Sequence, residues 1–525
     1  MDVNLAHLLQ EQARRRPQAR ALIDGTGRSA RSVTFAELDV RAGRAAALLR
    51  RQGLAAGDRV LTFHPMAAEL YVAIAAFLRT GLIAAFVDPS AGRAHIERCC
   101  ALAPPAALLA TPKAHLLRLV SPALHRIPVK FATGIGAPGA VRWAASRDLP
   151  VEAEPVACAA ETPALATFTS GSTGAPKMAV RTHSFLRRQH GVLAELQQLG
   201  DDDIVLSTLP IFVLSHIAAG ACTLIPSVDV RHPGKVRAGP LLRQTAEQGV
   251  TCIEGSPALL DRMTHQAAAA AFTLPRVNKV FTGGGPVFPA LMQRIRALAP
   301  NAQITAVYGS TEAEPIAHLD LEEMTAADSD ASAEGAGLLA GRPVPAADVR
   351  VLPDEWGRPL SSLTREEFER RVLPAGAAGE IVVSGPHVLA GYWQGQGDAE
   401  TKFRVEDTVW HRTGDAGYFD SRGRLWLLGR CMARVEDARG VIYPFAVECA
   451  AQRHAEIKRA AFVAHRARRL LVVELYGSVK DDLSGRLLRE MEWAHIDEVR
   501  VLRHLPVDKR HNAKIDYGAL RRMLD

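Results

Sequence analysis

The sequence predicts an α/β protein: a large N-terminal domain of sheets layered with helices, a β-rich subdomain, and a small, mobile α+β C-terminal domain. Three observations carry this reading. Up to about residue 430, β-branched or Leu-rich runs (21–23, 59–63, 107–110, 204–206 and 280–281) alternate with longer Ala/Leu/Arg segments of helical period, the pattern of parallel strands covered by helices. Between residues 335 and 371 lie several Gly and Pro and then the charged run 365–371, and strand-like runs dominate afterwards at 379–384, 410–414 and 425–428, as in a more antiparallel subdomain. After Gly429-Arg430 the chain reads as α+β, with strands near 461–463 and 470–475 and a helix near 484–495. The predicted boundary is a hinge at 430–433, separating residues 1–430 from 431–525.

Composition narrows the function classes. A chain of 525 residues, 48% hydrophobic and 23% charged, buries a large core without disulfides or a structural metal, which excludes a disordered chain and a stapled mini-scaffold. Lys and Arg total 63 against 56 Asp and Glu, and the +7 excess is spread over the whole length, so no nucleic-acid partner is predicted. The tightest basic run, Arg14-Arg15-Arg16, follows the amphipathic Leu5, Leu8 and Leu9 and stops at Pro17, which reads as a solvated helix end. Seven scattered cysteines without a CxxC pair suit a reducing cytoplasm. No basic region precedes an apolar core after Met1, and Arg79-Thr80 interrupts the longest apolar tract, 70–87, so neither a signal peptide nor a membrane span is predicted. The five alanines within 266–272 read as helix surface.

One segment is more informative than any other: Thr167-Phe168-Thr169-Ser170-Gly171-Ser172-Thr173-Gly174-Ala175-Pro176-Lys177, after the strand-like 164–166. Two glycines let backbone N–H groups turn onto an anion, five hydroxyls add donors, and the terminal lysine adds a point charge. This reads as a triphosphate cradle, although Lys177 is followed by Met178 rather than by the hydroxyl of a GxxxxGK[ST] loop. The segment resembles the phosphate-binding signature of the adenylate-forming superfamily, which includes acyl-CoA synthetases, peptide-synthetase adenylation domains and luciferases. The resemblance implies activation of a carboxylate by ATP with release of pyrophosphate, with Thr169, Ser170, Gly171, Ser172, Thr173, Gly174 and Lys177 on the phosphates.

The similarity extends along most of the chain. Thr282-Gly283-Gly284-Gly285-Pro286 resembles the glycine turn on which the family lays adenine, and Tyr308-Gly309-Ser310-Thr311-Glu312 resembles the next motif. The resemblance implies that Tyr308 stacks on adenine, Thr311 contacts the α-phosphate and Glu312 holds Mg²⁺, for which a carboxylate is a suitable hard ligand. In His411-Arg412-Thr413-Gly414-Asp415 the matching ribose acceptor is Asp415, and Arg430 is the second ribose contact. Near the C-terminus, Lys514 matches the lysine of the adenylation step, with Lys509 the nearby alternative. A cation there offsets the charge that builds up as one anion attacks another.

The chain also departs from the family. The positions of its hinge Asp, a following Lys and a tunnel Gly fall on Met432, Glu436 and Arg439, with Gly440 one residue away from the last. These changes put the CoA half-reaction in doubt. Closer resemblance lies with the β-lactone synthetases of the long-chain olefin pathway and related fatty-acyl ligase-like proteins, on Val87-Asp88-Pro89-Ser90-Ala91-Gly92-Arg93, Gly255-Ser256-Pro257-Ala258-Leu259-Leu260, Val409-Trp410-His411-Arg412 and the segment 506–515. That chemistry needs no second substrate, because the 3-hydroxyl of the acyl-adenylate attacks its own carbonyl; release of the adenylate to a partner is the other expected second step, with acyl-CoA synthesis as the main alternative. Apolar residues around Phe212 suggest a fatty or aromatic acid, and His216 is either a base near that hydroxyl or a pocket-wall or core histidine. The implied partners are a small carboxylic acid and a carrier protein, pathway enzymes or a second copy of the chain. A non-catalytic adenylate-binding protein is the rival from another class, against which Lys177, Glu312, Asp415 and Lys514 all stand.

Overall fold

The structure, a computed structural model, describes residues 3–26, 30–88, 91–170, 176–230, 232–477, 482–508 and 514–525. It is α/β and comprises two compact units, Met1–Ser227 with Pro386–Ala399 and Val228–Gly385 with Glu400–Asp525.

The first unit contains a seven-stranded sheet in the order Val141–Arg142, Val129–Ala132, Ala107–Ala110, Arg59–Phe63, Ile83–Phe86, Pro163–Ser170 and Pro176–Thr182. Every pairing is parallel except the last. Its strands at 59–63 and 107–110 have the predicted bounds, because short β-branched and Leu-rich runs bounded by breakers have little alternative. The apolar tract 70–87 resolves into the helix Ala68–Thr80, closed by Gly81 at φ 72°, and the strand Ile83–Phe86. That helix is buried on every face from Leu70 to Thr80. The interrupting Arg79 is itself buried: its guanidinium pairs with Asp39 and donates to the Glu152 carbonyl at 2.7 Å. Helix Phe35–Arg51, which packs on it, starts at a capping box in which Thr34 and Glu37 satisfy each other's backbone N–H.

Two sequence expectations change here. The basic run at the end of helix Ala6–Arg15 is not only solvated, since Arg15 and Arg16 both pair with Asp201, at 2.6 and 3.1 Å. In the second unit, the alanine tract is helical only up to Ala269; Ala271 takes φ 47° and the helix stops. High alanine propensity does not extend a helix whose last residues, 268–270, are exposed and bury nothing.

The second unit begins with the parallel strands Cys252–Gly255, Lys279–Gly283 and Gln303–Ser310. The antiparallel Ala313–Asp320, Leu338–Pro343, Leu425–Arg430, Thr408–Phe419, Gly379–Ser384 and Asp348–Leu352 continue from them in that order. The predicted antiparallel layer is therefore present, and the charged run 365–371 is a helix capped by Thr364 and Glu367. Beyond 430 come a hairpin, Val435–Asp437 with Gly440–Ile442, and a three-stranded sheet of Ile457–His465, Arg468–Leu475 and Glu498–Val501. The helix expected near 484–495 is Leu483–Glu490, followed by a 3-10 turn at Glu492–Ala494. Among the described residues no helix is long and apolar enough to cross a membrane, and all seven cysteines are buried thiols.

Buried charges bind the second unit together. Arg412 and Glu380, each 1% exposed, pair across neighbouring strands at 2.5 Å, and the guanidinium also lies 5.3 Å from the Trp356 ring. Glu448, on helix Pro444–Ala451, accepts from the Tyr517 hydroxyl at 2.7 Å and the Phe462 N–H at 2.9 Å. Burial, outweighing these two hydrogen bonds, pushes its carboxyl up to about 7.

Two predictions follow from these groups. Glu380→Leu leaves a buried guanidinium without its counter-charge and should cost about 3–5 kcal/mol, whereas Glu380→Leu/Arg412→Met should recover most of the loss; denaturant unfolding of the three proteins checks this. Glu448 binds its proton more tightly folded than unfolded, so its contribution to stability is full below its ordinary value of 4.5 and lost as pH rises to about 7. Linkage puts that loss at about 3 kcal/mol, and Glu448→Gln should remove it, read as urea midpoints at about pH 5 and about pH 8.

Candidate active site

The glycine turn and the Tyr308 motif are brought together by strand pairing. Strand Lys279–Gly283 runs parallel to Gln303–Ser310 with Gly283 opposite Val307. A Cβ at Gly283 would lie 2.6 Å from the Val307 carbonyl oxygen, and Gly284 has φ 80°, so this chain path requires glycine. The turn thus sits at the carboxyl edge of parallel strands, where open α/β sheets place ligands.

Asp415 faces Arg430 in the antiparallel register of Thr408–Phe419 with Leu425–Arg430. Arg430 Nε is 3.2 Å from Asp415 Oδ1, and its Nη1 donates to the Thr413 carbonyl at 3.0 Å. The Asp415 N–H donates to Thr413 Oγ1, also at 3.0 Å. On the other carboxylate oxygen, Oδ2, Tyr308 donates its hydroxyl at 2.9 Å. Burial first, and then the Asp415 charge, raise the Tyr308 phenol well above its ordinary range, so it remains a donor. The same charge raises the Arg430 guanidinium further. The carboxylate is oriented by one hydrogen bond and one ion pair and keeps lone pairs for further donors.

These groups line one cavity of about 480 Å³. One wall is Gly284, Gly285, Pro286, Tyr308, Gly309 and Ser310; Asp415 and Arg430 form another; Met432, Glu448, Arg459, Lys514 and Tyr517 complete it. Lys514 is held by its backbone, its N–H donating to Asp508 Oδ1 at 2.9 Å while its carbonyl accepts from the Asp508 N–H at 2.8 Å. Lys509 lies outside the described residues.

Gly283, Thr311 and Glu312 flank this wall rather than line it. The Glu312 N–H donates to Ser310 Oγ at 3.2 Å, and its charge acts on both His411 and Arg430. His411 is buried with its Nδ1 3.1 Å from the Thr401 carbonyl, and burial followed by the Lys402 charge lowers it to about 3, so the ring is neutral. Among the described residues no three His, Cys, Asp or Glu side chains converge on one point. A single carboxylate such as Glu312 fits Mg²⁺, which keeps several waters and takes its remaining ligands from substrate phosphates.

The other compact unit carries the rest of the predicted set. Lys177 lies on Pro176–Thr182, opposite Thr169, with its ammonium 5.6 Å from the Tyr392 ring centroid. A Cβ at Gly397 would run into the Lys177 stem. Ser170 pairs with Pro176 through its backbone, while Gly171, Ser172, Thr173 and Gly174 lie outside the described residues. Phe212 lines a small cavity of about 20 Å³ with His190 and Ser215, which are bonded at 2.8 Å. His216, fully buried on the same helix, places its Nδ1 3.0 Å from Thr223 Oγ1, the arrangement of a core histidine.

Of the three departures, Met432 is on the wall of the large cavity and Glu436 and Arg439 are not. Arg439 is fastened to Asp437 and Asp497, at 2.9 and 2.8 Å, and does not narrow that cavity. Sequence reasoning missed Glu448, Arg459 and Tyr517 on the wall. The lone carboxylate in Pro444–Ala451, an otherwise apolar helix, was the available signal for the first of them.

Residues 9–393 match the family model described as AMP-binding enzyme. The chain is 33% identical to the olefin beta-lactone synthetase of Stenotrophomonas maltophilia, over 98% of this chain and 96% of that protein. It is 30% identical to the indoleacetate–CoA ligase of Aromatoleum aromaticum, over 63% and 61%. Its fold matches ATP-bound MatB from Rhodopseudomonas palustris with a TM-score of 0.78 at 21% identity, covering 100% of this chain and 99% of that one. On these matches and the order of its motifs, the chain belongs to the AMP-binding enzyme family and is an ATP-dependent, AMP-forming carboxylate ligase.

Proposed function

We propose that the enzyme activates a fatty or 3-hydroxy fatty acid as its acyl-adenylate and then closes the 3-hydroxy acyl group to a β-lactone. The observation that carries the reading is the placement of Lys514 on the wall shared by Gly284–Gly285, Tyr308, Asp415 and Arg430. Adenine would lie against the glycine turn and Tyr308, and the ribose hydroxyls would donate to the lone pairs that Tyr308 and Arg430 leave on the two Asp415 oxygens. Lys177 is assigned to the distal phosphates by its motif in the sequence.

In the first half-reaction a carboxylate oxygen attacks the α-phosphorus and the bond to pyrophosphate breaks. Lys514 offsets the negative charge gathering at the α-phosphate, a contribution made in the transition state rather than in nucleotide binding. Glu312 would hold Mg²⁺, and that ion would supply positive charge for the phosphate oxygens. In the second half-reaction the 3-hydroxyl oxygen bonds to the acyl carbon, the bond from that carbon to the phosphate oxygen breaks, AMP leaves, and the hydroxyl proton passes to solvent. The nucleophile is already tethered, so most of the entropy of bringing the reactants together is lost at binding. Full-length similarity to an olefin beta-lactone synthetase supports this step, as does the loss of the family's hinge Asp and Lys at Met432 and Glu436.

A second reading, release of the acyl group to CoA, draws on one observation: Gly440 has φ 105° and open space on its Cβ side, as a glycine opening a thiol path would. Similarity to a CoA ligase over part of the chain also favours it.

Two measurements test these assignments. Lys514→Ala should reduce acid-dependent pyrophosphate exchange by at least ~10²-fold with nucleotide affinity within a few-fold of wild type; exchange near the wild-type rate would remove Lys514 from this role. AMP release should be CoA-independent and continuous with a 3-hydroxy acid, and should stop after one equivalent of held adenylate with its deoxy analogue. CoA-stimulated turnover of both acids to thioesters would replace lactone formation by the second reading.

A further inference from the structure

Away from the cavity, one surface of the first unit combines exposed hydrophobes with unopposed positive charge. From residue 98 to residue 147 the chain has no aspartate or glutamate, yet it carries seven Lys or Arg. The same stretch holds four strongly exposed apolar side chains: Leu116 at 60%, Leu119 at 81%, Val120 at 54% and Ile135 at 90%.

The topology gathers these groups. Ala107–Ala110 and Val129–Ala132 are adjacent parallel strands, so the segments that follow them, 111–120 and 133–140, leave the sheet at the same edge. Arg118 ties the two together, its Nη1 donating to the Pro138 carbonyl at 3.0 Å. Leu119 and Val120 adjoin this link from the first segment and Ile135 belongs to the second. Lys113 is exposed on the helix Pro112–His115, and Arg142 lies close to Gly136, beside Ile135. The backbone beneath is not loose: helix Pro112–His115 starts at a Thr111 cap, and His115 Nε2 is 3.0 Å from the Phe131 carbonyl.

A single exposed leucine needs no explanation, but a group of them interspersed with cations does. A protein partner of ordinary composition would leave part of that charge unmatched. An anionic lipid surface matches both halves, since its headgroups answer Lys113, Arg118 and Arg142 while Leu116, Leu119 and Ile135 enter the headgroup–acyl boundary. We propose that this edge of the sheet docks the enzyme peripherally and reversibly onto anionic phospholipid. The proposal is independent of the second half-reaction, and the docking residues belong to neither of the cavities described above.

The test is flotation of the full-length protein with vesicles of phosphatidylcholine alone or with about one-third phosphatidylglycerol. Wild type should float with the anionic vesicles, not with the neutral ones, and be released by ~1 M NaCl. Leu119→Asp/Ile135→Asp and Lys113→Glu/Arg142→Glu should each lower the bound fraction about tenfold while leaving pyrophosphate exchange unchanged. Failure of wild type to float, or flotation of both variants at the wild-type level, overturns the proposal. So does a lipid-free change of oligomeric state in Leu119→Asp/Ile135→Asp, which would make the patch an interface between copies of the chain.

Discussion

The pairing of Asp415 with Arg430 is the contact on which the candidate site depends. It exists because two strands separated by a short turn bring those residues into register, and it is completed by a hydroxyl from Tyr308, 107 residues earlier in the chain. A carboxylate that is to receive ribose hydroxyls is placed by a counter-charge beside it and by a donor that stops it rotating. Arg430 supplies the first and the Tyr308 hydroxyl the second, while Thr413 ties the Asp415 backbone and the Arg430 guanidinium to the same strand. The glycine turn, the Tyr308 strand and the antiparallel layer can then present one continuous wall.

The same device recurs below the surface of the second unit. Besides Arg412 with Glu380, Arg424 pairs with Asp328 at 2.6 Å and Asp420 at 2.8 Å, and Arg469 pairs with Asp437 at 2.7 Å while donating to the Gly440 carbonyl. The Arg424 guanidinium beside Asp328 holds that carboxyl well below its usual range. Such pairs add less net stability than their Coulomb energy suggests, because each charge must first be desolvated. They do restrict the partners each strand accepts, which suits an antiparallel layer that must set the register of Asp415 and Arg430. The Arg469–Asp437–Arg439–Asp497 group does the same for the hairpin after residue 430.

Much of this was legible in the sequence where local chemistry decides the outcome. Short β-branched runs flanked by breakers gave strands at 59–63, 107–110 and 379–384 with their bounds, and the glycine and Tyr308 motifs come together at the end of parallel strands. What escaped depends on long-range packing. Arg79 reads as an interruption of an apolar tract, yet it is buried against Asp39 and Glu152. Glu448 and Tyr517 join the cavity wall across 69 positions of sequence, and no local pattern shows that they meet. His216 sits in an apolar segment that reads equally well as pocket or core, and only the placement of Thr223 distinguishes them.

The central claim is that the cavity bearing Tyr308, Asp415, Arg430 and Lys514 is the acyl-adenylate site. The most direct measurement is a crystal structure with a non-hydrolysable acyl-sulfamoyl-adenosine. Adenine is expected against Gly284–Gly285 and Tyr308, both ribose hydroxyls on Asp415, and the Lys514 ammonium at the sulfamoyl group that stands in for the α-phosphate. An analogue bound elsewhere, or bound here with its ribose turned away from Asp415, would contradict it.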